Sequence, residues 1–511
     1  MALLKPPANG VTVRMYRQGH GDCFLLAFPR KTGTRPVYVL IDCGYKPGSP
    51  AFVHGDGGAN HPIADTVEDI REATDGHLDL VIITHEHQDH LNGIWKATNP
   101  YFAGFTIDEA WMAWTEDPDD DLANELRRRH KDTLLGVLEA RQRLALAVGD
   151  DDETVVGLDT LLSFEFGGDA ERVSMAEMFA AAKDPAKSIN KQSLKFIKDE
   201  AEKERGVSFL NPGDGPLAVP RAKGIRAYVL GPPRDEDLLV DEDPKSGEGF
   251  PDDDAPSFTF RAAASSGTGA STTPFSSRFA MSMEKELQEV QSFFSKRYGK
   301  DMEGTNDVDR VEVPDNAPWR RIEQEWLYTA EQLALQLNRG INNTSLVLAF
   351  ELPKSKKVLL FAADAQRGNW ISWTNNQWDD AGKTISVRDL LGRTVLYKVG
   401  HHGSHNATLA GTTKDEYANL SWMGTGTAAK EFCAMITAVN TWAVTKNNPP
   451  WRHPLPSIRE ALVRKTQGRV FQTDTPQLTK PEDVSATVWN AFLKRCKVSN
   501  PLYFDYQILD K

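Results

Sequence analysis

The chain has 511 residues, of which 40% are hydrophobic and 26% charged, and its formal net charge is −13. This composition is typical of a globular protein and excludes a fibrous or largely disordered one. No stretch approaches the roughly 20 continuous apolar residues of a membrane span, the N-terminus lacks an apolar signal core, and the four cysteines form no C-x-x-C pair. We therefore expect a cytoplasmic protein with reduced thiols and no membrane partner. The negative charge argues mildly against a nucleic-acid ligand, although much of it is concentrated in residues 234–254.

The first 45 residues predict an antiparallel β-meander, with strands VTVRMYR, CFLLAF and VYVLID. A helix is predicted for ADTVEDIREAT, followed by the buried strand LDLVIIT, which ends at Thr84. Apolar spacing predicts further helices over 120–148 and 174–204, and IRAYVLGPP reads as a strand stopped by prolines.

The middle of the chain loses this periodicity. Residues 233–281 are acidic and then rich in Ser and Gly, which predicts a flexible surface loop. Helices are predicted over 282–298 and 318–338, then the strands TSLVLAFEL, KVLLFAAD and RTVLYKVG, and one more helix over 456–466.

The motif THEHQDH at residues 84–90 carries the clearest chemistry, because it packs four metal-ligand side chains into six positions directly after a buried strand. In a loop at a strand end, His85 and His87 can bind one metal while Asp89 and His90 bind a second. Imidazole and carboxylate together favour Zn, Mn or Fe over Ca or Mg. The alternative is a solvated loop that happens to be rich in histidine.

A second cluster follows later in the chain. Asp364 ends the run VLLFAAD, and VGHHGSHNA supplies His401, His402 and His405. One of His401 and His402 is expected to complete the metal sphere and the other to donate a proton to the leaving group. For Asp364 the alternative is a turn or helix cap, and for His405 it is an ordinary loop histidine.

The motif H-x-H-x-D-H after a buried strand resembles the signature of the metallo-β-lactamase superfamily. This resemblance implies an α/β fold, an αββα sandwich that here carries a large, mostly helical insertion between core strands. It further implies that Asp42, in LIDCG, orients the ligand loop and that Asp364 bridges two metals.

The segments GHGDCFLL, NNTSLVL, VGHHGSH and WRHPLPSIREAL are similar to the hydrolase domain of bacterial DNA-uptake channel proteins and related phosphodiesterases. Asp22, Asn343, Ser345 and His453 fall on matching positions. The sequence departs from that pattern because Ala363 precedes Asp364 where the family has Gly, and no membrane channel is attached. The histidine that many members supply before the bridging Asp is also absent, with Asn342 or Asn343 nearby, so one metal is held less tightly or His453 compensates.

The resemblance divides the chain into a metallo-hydrolase core and its additions. The predicted parts are a first core half (1–95), a mainly helical insertion (96–224), a core strand (225–232), a flexible loop (233–281), a second helical insertion (282–339), and the second core half with a C-terminal segment (340–511).

The expected function is a binuclear hydrolase with two divalent ions, Zn or Mn, in which metal-activated water attacks a phosphodiester of a nucleic acid or nucleotide. The basic stretches RRRHK and KSKK are candidates for phosphate contact but are better explained as solvated faces. The insertion is a candidate surface for a protein partner. Two alternatives remain: a lactone or amide hydrolase, and a non-catalytic metal-binding interaction protein. The predicted metal ligands are His85, His87, Asp89, His90, Asp364, His402 and His453; the predicted catalytic residues are Asp89, Asp364, His401 and His402; and Asp22, Asp42, Asn343, Ser345 and His405 are predicted to support them.

Overall fold

The computed structural model describes residues 3–50, 62–96, 99–167, 174–251, 340–380, 382–446 and 451–511. The strands are β1 Gly10–Tyr16, β2 Cys23–Phe28, β3 Val37–Cys43, β4 His77–Leu78, β5 Leu80–Ile82, β6 Trp95–Lys96, β7 Asn99–Pro100, β8 Thr106–Ile107, β9 Ala110–Ala113, β10 Val207–Leu210, β11 Leu217–Ala218, β12 Arg226–Gly231, β13 Val347–Glu351, β14 Val358–Phe361, β15 Gln377–Asp380, β16 Lys383–Ser386, β17 Thr394–Lys398, β18 Cys433–Ile436, β19 Val470–Gln472, β20 Cys496–Lys497 and β21 Tyr503–Leu509. The helices are α1 Pro62–Thr74, α2 Gln88–Leu91, α3 Asp121–Val148, α4 Glu153–Phe166, α5 Met175–Lys183, α6 Ile189–Glu202, α7 Glu236–Leu239, α8 Arg367–Ser372, α9 Val387–Gly392, α10 Asn440–Ala443, α11 Pro456–Thr466 and α12 Ala486–Leu493.

Two large sheets organise these elements. The first has eight strands in the order β10-β9-β5-β3-β2-β1-β21-β20, and the second has seven in the order β11-β12-β13-β14-β17-β18-β19. In the first sheet β1, β2 and β3 pair antiparallel, whereas β3, β5, β9 and β10 run parallel. In the second, β14, β17, β18 and β19 run parallel. Each sheet therefore has a parallel part whose strands end at a common edge, where side chains from different strands can meet.

The two sheets share one hydrophobic core. A single buried cluster contains inward residues of both sheets, for example Val13, Leu26, Leu348 and Met435. The outer face of the first sheet packs with α1 and α6, and the outer face of the second packs with α8, α9 and α11. The described residues thus form a mixed α/β fold with helices on the outer sides of two sheets.

Most of the elements predicted from the sequence are present. The opening meander, the helices at Pro62–Thr74, Asp121–Val148 and Pro456–Thr466, and the strands before Asp364 and His401 are confirmed. The structure adds α4 and α12, which the sequence analysis did not identify. No described helix is both long and apolar enough to span a bilayer.

Two of the ranges that were predicted to be additions to the core, 96–224 and 233–281, differ in structure from the prediction. Within 96–224 the helices occupy Asp121–Glu202. The strands on either side, β9 and β10, extend the first sheet, because β9 pairs in parallel with β5 and β10 pairs in parallel with β9. Of the predicted flexible loop over 233–281, the part up to Pro251 is instead folded. Arg367 pairs there with Asp241 and Glu248, which anchors this acidic segment to α8. Residues 252–281, and the helices predicted over 282–298 and 318–338, lie outside the described residues.

Candidate metal centre

The predicted ligands converge because they follow strands that end at the same edge of the two sheets. The segment after β5 carries His85 and His87 in a loop and Asp89 and His90 in the short helix α2, and we call this segment the ligand loop. Asp364 follows β14, and His402 follows β17. All six side chains are buried, with at most 3% of each residue exposed. A long stretch of chain separates the two halves of this set, and the packing of the sheets brings them together.

Four of these residues form one group whose ligand atoms all lie within 4.8 Å of one another: Asp89, His90, Asp364 and His402. Nε2 of His402 lies 3.0 Å from Oδ2 of Asp89 and 3.3 Å from Oδ2 of Asp364. Nε2 of His90 lies 3.3 Å from the same Asp364 oxygen. Two imidazoles and two carboxylates around one point are a donor set that suits Zn or Mn.

Unpartnered polar atoms support this interpretation. Oδ1 of Asp89 and Nε2 of His90 are buried and have no hydrogen-bond partner among the described residues. Burying a polar group without a partner costs free energy, so such atoms call for an explanation. A bound divalent cation would satisfy both, and the residues present therefore fit a metal.

His85 and His87 lie beside this group rather than within it. Nε2 of His85 is 3.1 Å from Nδ1 of His87 and 4.0 Å from Oδ2 of Asp364. The two nitrogens face each other, and the His85 nitrogen lies near Asp364. This arrangement is compatible with a second ion that shares Asp364, and the number of ions stays a prediction.

Asp42 holds the ligand loop in place. Its carboxylate accepts hydrogen bonds from the Thr84 backbone N–H (2.9 Å) and hydroxyl (2.6 Å), and from Nδ1 of His90 (2.8 Å). Nε2 of His90 is thereby directed towards Asp364. A carboxylate behind a metal-binding histidine orients the ring and raises its basicity.

Asp22 contacts side chains that lie behind two other residues of the centre, Asp364 and His402. It pairs with the buried Lys398 ammonium at 2.5 Å and accepts a hydrogen bond from the Thr437 hydroxyl at 2.5 Å. Lys398 also lies 3.4 Å from Asp364, and Nδ1 of His402 lies 3.1 Å from both the hydroxyl and the carbonyl oxygen of Thr437. Asp22 therefore supports two candidate ligands through Lys398 and Thr437.

Of the remaining predicted residues, Ser345 contacts the centre through His85 and Asp364, and His405 and His453 lie outside the four-residue group. Ser345 accepts a hydrogen bond from the Asp364 backbone N–H, and Asn343 binds backbone groups around Asp241 and Gln366. His405 is exposed and pairs with Asp243, away from the ligand group. Nδ1 of His453 lies 3.4 Å from Nε2 of His20, outside the four-residue group.

The structure distinguishes the two adjacent histidines that the sequence could not. His402 points into the ligand group, whereas Nε2 of half-buried His401 faces the Asn342 amide at 3.3 Å. Both have a left-handed backbone, with φ of 40° and 54°, as do Asp42 (53°) and Ala363 (48°). Such conformations cost energy for non-glycine residues and gather at functional sites. The positive φ of Ala363 is a conformation that glycine adopts at lower cost, so the backbone before Asp364 is strained.

Burial and charge oppose each other in the pKa values of these groups. Burial raises the pKa of Asp89, but the hydrogen bond from His402 and the His90 charge outweigh it and hold that pKa well below the usual range. Burial lowers the pKa of His402, yet Asp364 and Asp89 raise it to about 9. The carboxylates therefore stay ionised and carry the negative charge that a cation needs.

Several residues near the centre were missed by the sequence analysis. Lys46 is buried with its ammonium 3.3 Å from the Phe164 ring centroid, and it donates hydrogen bonds to Gln88 and Ser163. Burial lowers the pKa of Lys46 to about 7. Glu165 and Lys398 were missed as well. Lys398 ends β17, three residues before His401, so its position could have suggested a place near the centre. The sequence around Lys46 and Glu165 contains no comparable signal.

Aromatic rings border the centre on one side. Phe164 lies 5.7 Å from both His87 and Trp451 between ring centroids. His453 is stacked between His20 and Trp451, at 5.4 Å and 5.8 Å. The outer members of this border are half-buried, so the rings extend from the buried ligands towards the surface.

No protein-family model and no curated protein matches the sequence. Among solved structures, a beta-lactamase domain protein from Burkholderia ambifaria is similar, with 14% identity, 43% of this chain covered and a TM-score of 0.18. The match spans 45% of the length of that protein. Identity and TM-score at these levels assign no family, so we base the functional conclusion on the geometry of the centre itself.

Proposed function

We propose that this chain is a metal-dependent hydrolase of the metallo-β-lactamase superfamily, with an αββα sandwich core. The observation that carries the proposal is the buried group of Asp89, His90, Asp364 and His402, in which Oδ1 of Asp89 and Nε2 of His90 have no hydrogen-bond partner among the described residues. A buried polar atom without a partner is costly, and a bound cation would offset that cost.

Asp89, His90, Asp364 and His402 would hold a divalent ion, Zn or Mn, which would supply Lewis acidity to lower the pKa of water and offset charge developing on the substrate. The residues of the chain do the rest. Asp89 and Asp364 are placed to accept the proton of the attacking water, and Asp42 and Asp22 keep the ligands oriented. His401, beside His402 and half-buried, is the residue we assign to hydrogen-bonding the leaving group.

We propose a phosphodiester, in a nucleotide or nucleic acid, as the substrate class. The support is the likeness of four sequence segments to phosphodiesterases. The two basic stretches do not add to it. Arg129 pairs with Glu236, and Lys357 pairs with Glu431, so these cations already have carboxylate partners.

The aromatic border favours a second candidate, an acyl hydrolase acting on a lactone or amide. Phe164, Trp442 and Trp451 present apolar surface next to the ligands, which suits an uncharged substrate better than a polyanion. Both candidates use the same centre and differ only in the electrophile.

The test is metal content by elemental analysis together with hydrolysis of bis-p-nitrophenyl phosphate and a chromogenic lactone. The native chain is compared with Asp364→Ala and His87→Ala. We expect bound metal and phosphodiesterase activity in the native chain and loss of activity in both variants. Metal with lactonase activity alone would favour the acyl candidate, and a native chain that binds no metal would contradict the proposal.

A further inference from the structure

The helical range Asp121–Glu202 lies against the ligand loop. Lys191 on α6 pairs with Glu86, which stands between His85 and His87. Asn190 donates hydrogen bonds to the backbone carbonyls of Glu86 (3.4 Å) and Phe164 (2.7 Å). Ser163 on α4 accepts one from Lys46, which also binds Gln88. Two helices of the insertion thus fix the outer side of the loop that carries the ligands.

One insertion side chain faces a candidate ligand directly. Oε1 of Glu165, near the end of α4, lies 3.9 Å from Nε2 of His87. Both side chains are buried, at 6% and 2% exposure. Neither of these two atoms has a hydrogen-bond partner among the described residues. A small approach would satisfy both, and leaving them apart has a cost for each.

The other oxygen of Glu165 is already held. Oε2 lies 2.9 Å from Nε2 of His130 on α3. Glu165 is therefore an oriented carboxylate with one oxygen free to accept a proton donor from His87.

We propose that Glu165 is a positioning residue that fixes the tautomer of His87, by accepting a hydrogen bond from its Nε2–H. The neutral ring then has its lone pair on Nδ1, the atom that faces Nε2 of His85 at 3.1 Å. The other tautomer would direct an N–H towards His85 and block binding. The inference rests on the proposed metal binding by His87, and it makes the insertion a part of the centre. Carboxylates behind metal-binding histidines commonly act in this way.

The first experiment reads the tautomer in the metal-free chain by NMR of ¹⁵N-histidine-labelled protein, with the His87 signals identified by their loss in His87→Asn. We expect the Nε2–H form in the native chain. In Glu165→Ala the population should shift towards Nδ1–H, and in Glu165→Gln most of the native form should remain because the amide oxygen still accepts. A native chain with the Nδ1–H form would overturn the proposal, and this measurement requires neither bound metal nor a Glu165 variant.

The second experiment titrates zinc into the folded variants and measures the dissociation constant. We expect Glu165→Ala to weaken binding by about 10–100-fold, with a smaller loss in Glu165→Gln. Glu139→Gln is the matched control, because it makes the same charge change on an exposed position of α3 and should bind zinc as the native chain does. Native affinity and native tautomer in Glu165→Ala would refute the positioning role while leaving the proposed hydrolase intact. A native chain without zinc binding would contradict the hydrolase, and the tautomer would still decide the role of Glu165.

Discussion

The candidate metal centre and a second acidic cluster, formed by His77, Asp79 and Asp108, contain the same residue types at similar spacing. In both, the possible ligand atoms lie within 4.8 Å of one another. The second cluster differs in what surrounds it. Asp79 pairs with Arg30 and Arg35, and Arg221 pairs with Asp108, so we refer to it as the arginine-covered cluster.

The difference lies in how the negative charge is balanced. Both carboxylates of the arginine-covered cluster have guanidinium partners, and Oδ2 of Asp79 also accepts the Tyr38 backbone N–H. In the candidate centre Asp89 faces only imidazole in the described contacts, and its Oδ1 has no hydrogen-bond partner among the described residues. Closeness of acidic side chains therefore does not define a metal site. The candidate centre differs because buried ligand atoms, such as Oδ1 of Asp89, are left without a hydrogen-bond partner among the described residues.

The largest effect should come from removing the shared carboxylate. Asp364→Asn keeps the size of the side chain but removes a charge next to His90 and His402. We expect activity to fall by about 10²–10³-fold, the usual effect of losing one fixed electrostatic group at a reacting centre. Metal content and hydrolysis are measured together. Asp108→Asn is the matched control and should change neither, since Arg221 is 38% exposed and can be solvated; metal loss in this control would undo the contrast.

A substitution in the arginine-covered cluster should affect stability rather than metal binding. Asp79→Ala leaves Arg30, 11% exposed, without its carboxylate, so we expect the free energy of unfolding to fall by about 3 kcal/mol. Urea denaturation measures this loss, and metal content should stay at the native level. Loss of metal with unchanged stability would instead identify the arginine-covered cluster as the metal site.

Metal addition should stabilise the chain through one cluster only. A ligand at 100 times its Kd stabilises the folded state by about 2.7 kcal/mol, so zinc should raise the Tm of the native chain. The rise should disappear in Asp364→Asn and persist in Asp108→Asn, as measured by thermal denaturation with and without a chelator. An equal rise in all three would place the bound zinc elsewhere.

The smallest effect concerns another carboxylate that arginines neutralise. Glu351 is 1% exposed and pairs with Arg226, Arg393 and Lys356. Burial raises the pKa of Glu351, but these hydrogen bonds outweigh it and lower that pKa below 4.5. Its contribution is therefore complete above the unfolded pKa and is lost as the pH falls through the folded one.

We expect Glu351→Gln to lower the free energy of unfolding by about 1–2 kcal/mol near neutral pH, because the partners remain partly solvated. The difference from the native chain should shrink as the pH falls below the folded pKa. Urea denaturation across that range measures it. A difference that stayed constant with pH would mean that the charge of Glu351 contributes nothing.

The sequence by itself determined the parts of this protein that depend on neighbouring residues. An alternating run predicted β1, β-rich runs predicted β2 and β3, and apolar spacing predicted the helix Asp121–Val148. The ligand loop was visible because His85, His87, Asp89 and His90 are close in sequence. Such patterns are local, and short-range periodicity is what a single sequence expresses most directly.

Only the tertiary structure decided which side chains meet across long separations. The left-handed backbone at His401 and His402, fixed by packing around β17, turns one ring inwards and leaves the other beside Asn342. Glu165 reaches His87 because α4 folds back onto the ligand loop, and no pattern near residue 165 records that contact. Contacts of this kind are imposed by the burial of whole sheet and helix faces, so they are not encoded in any short segment.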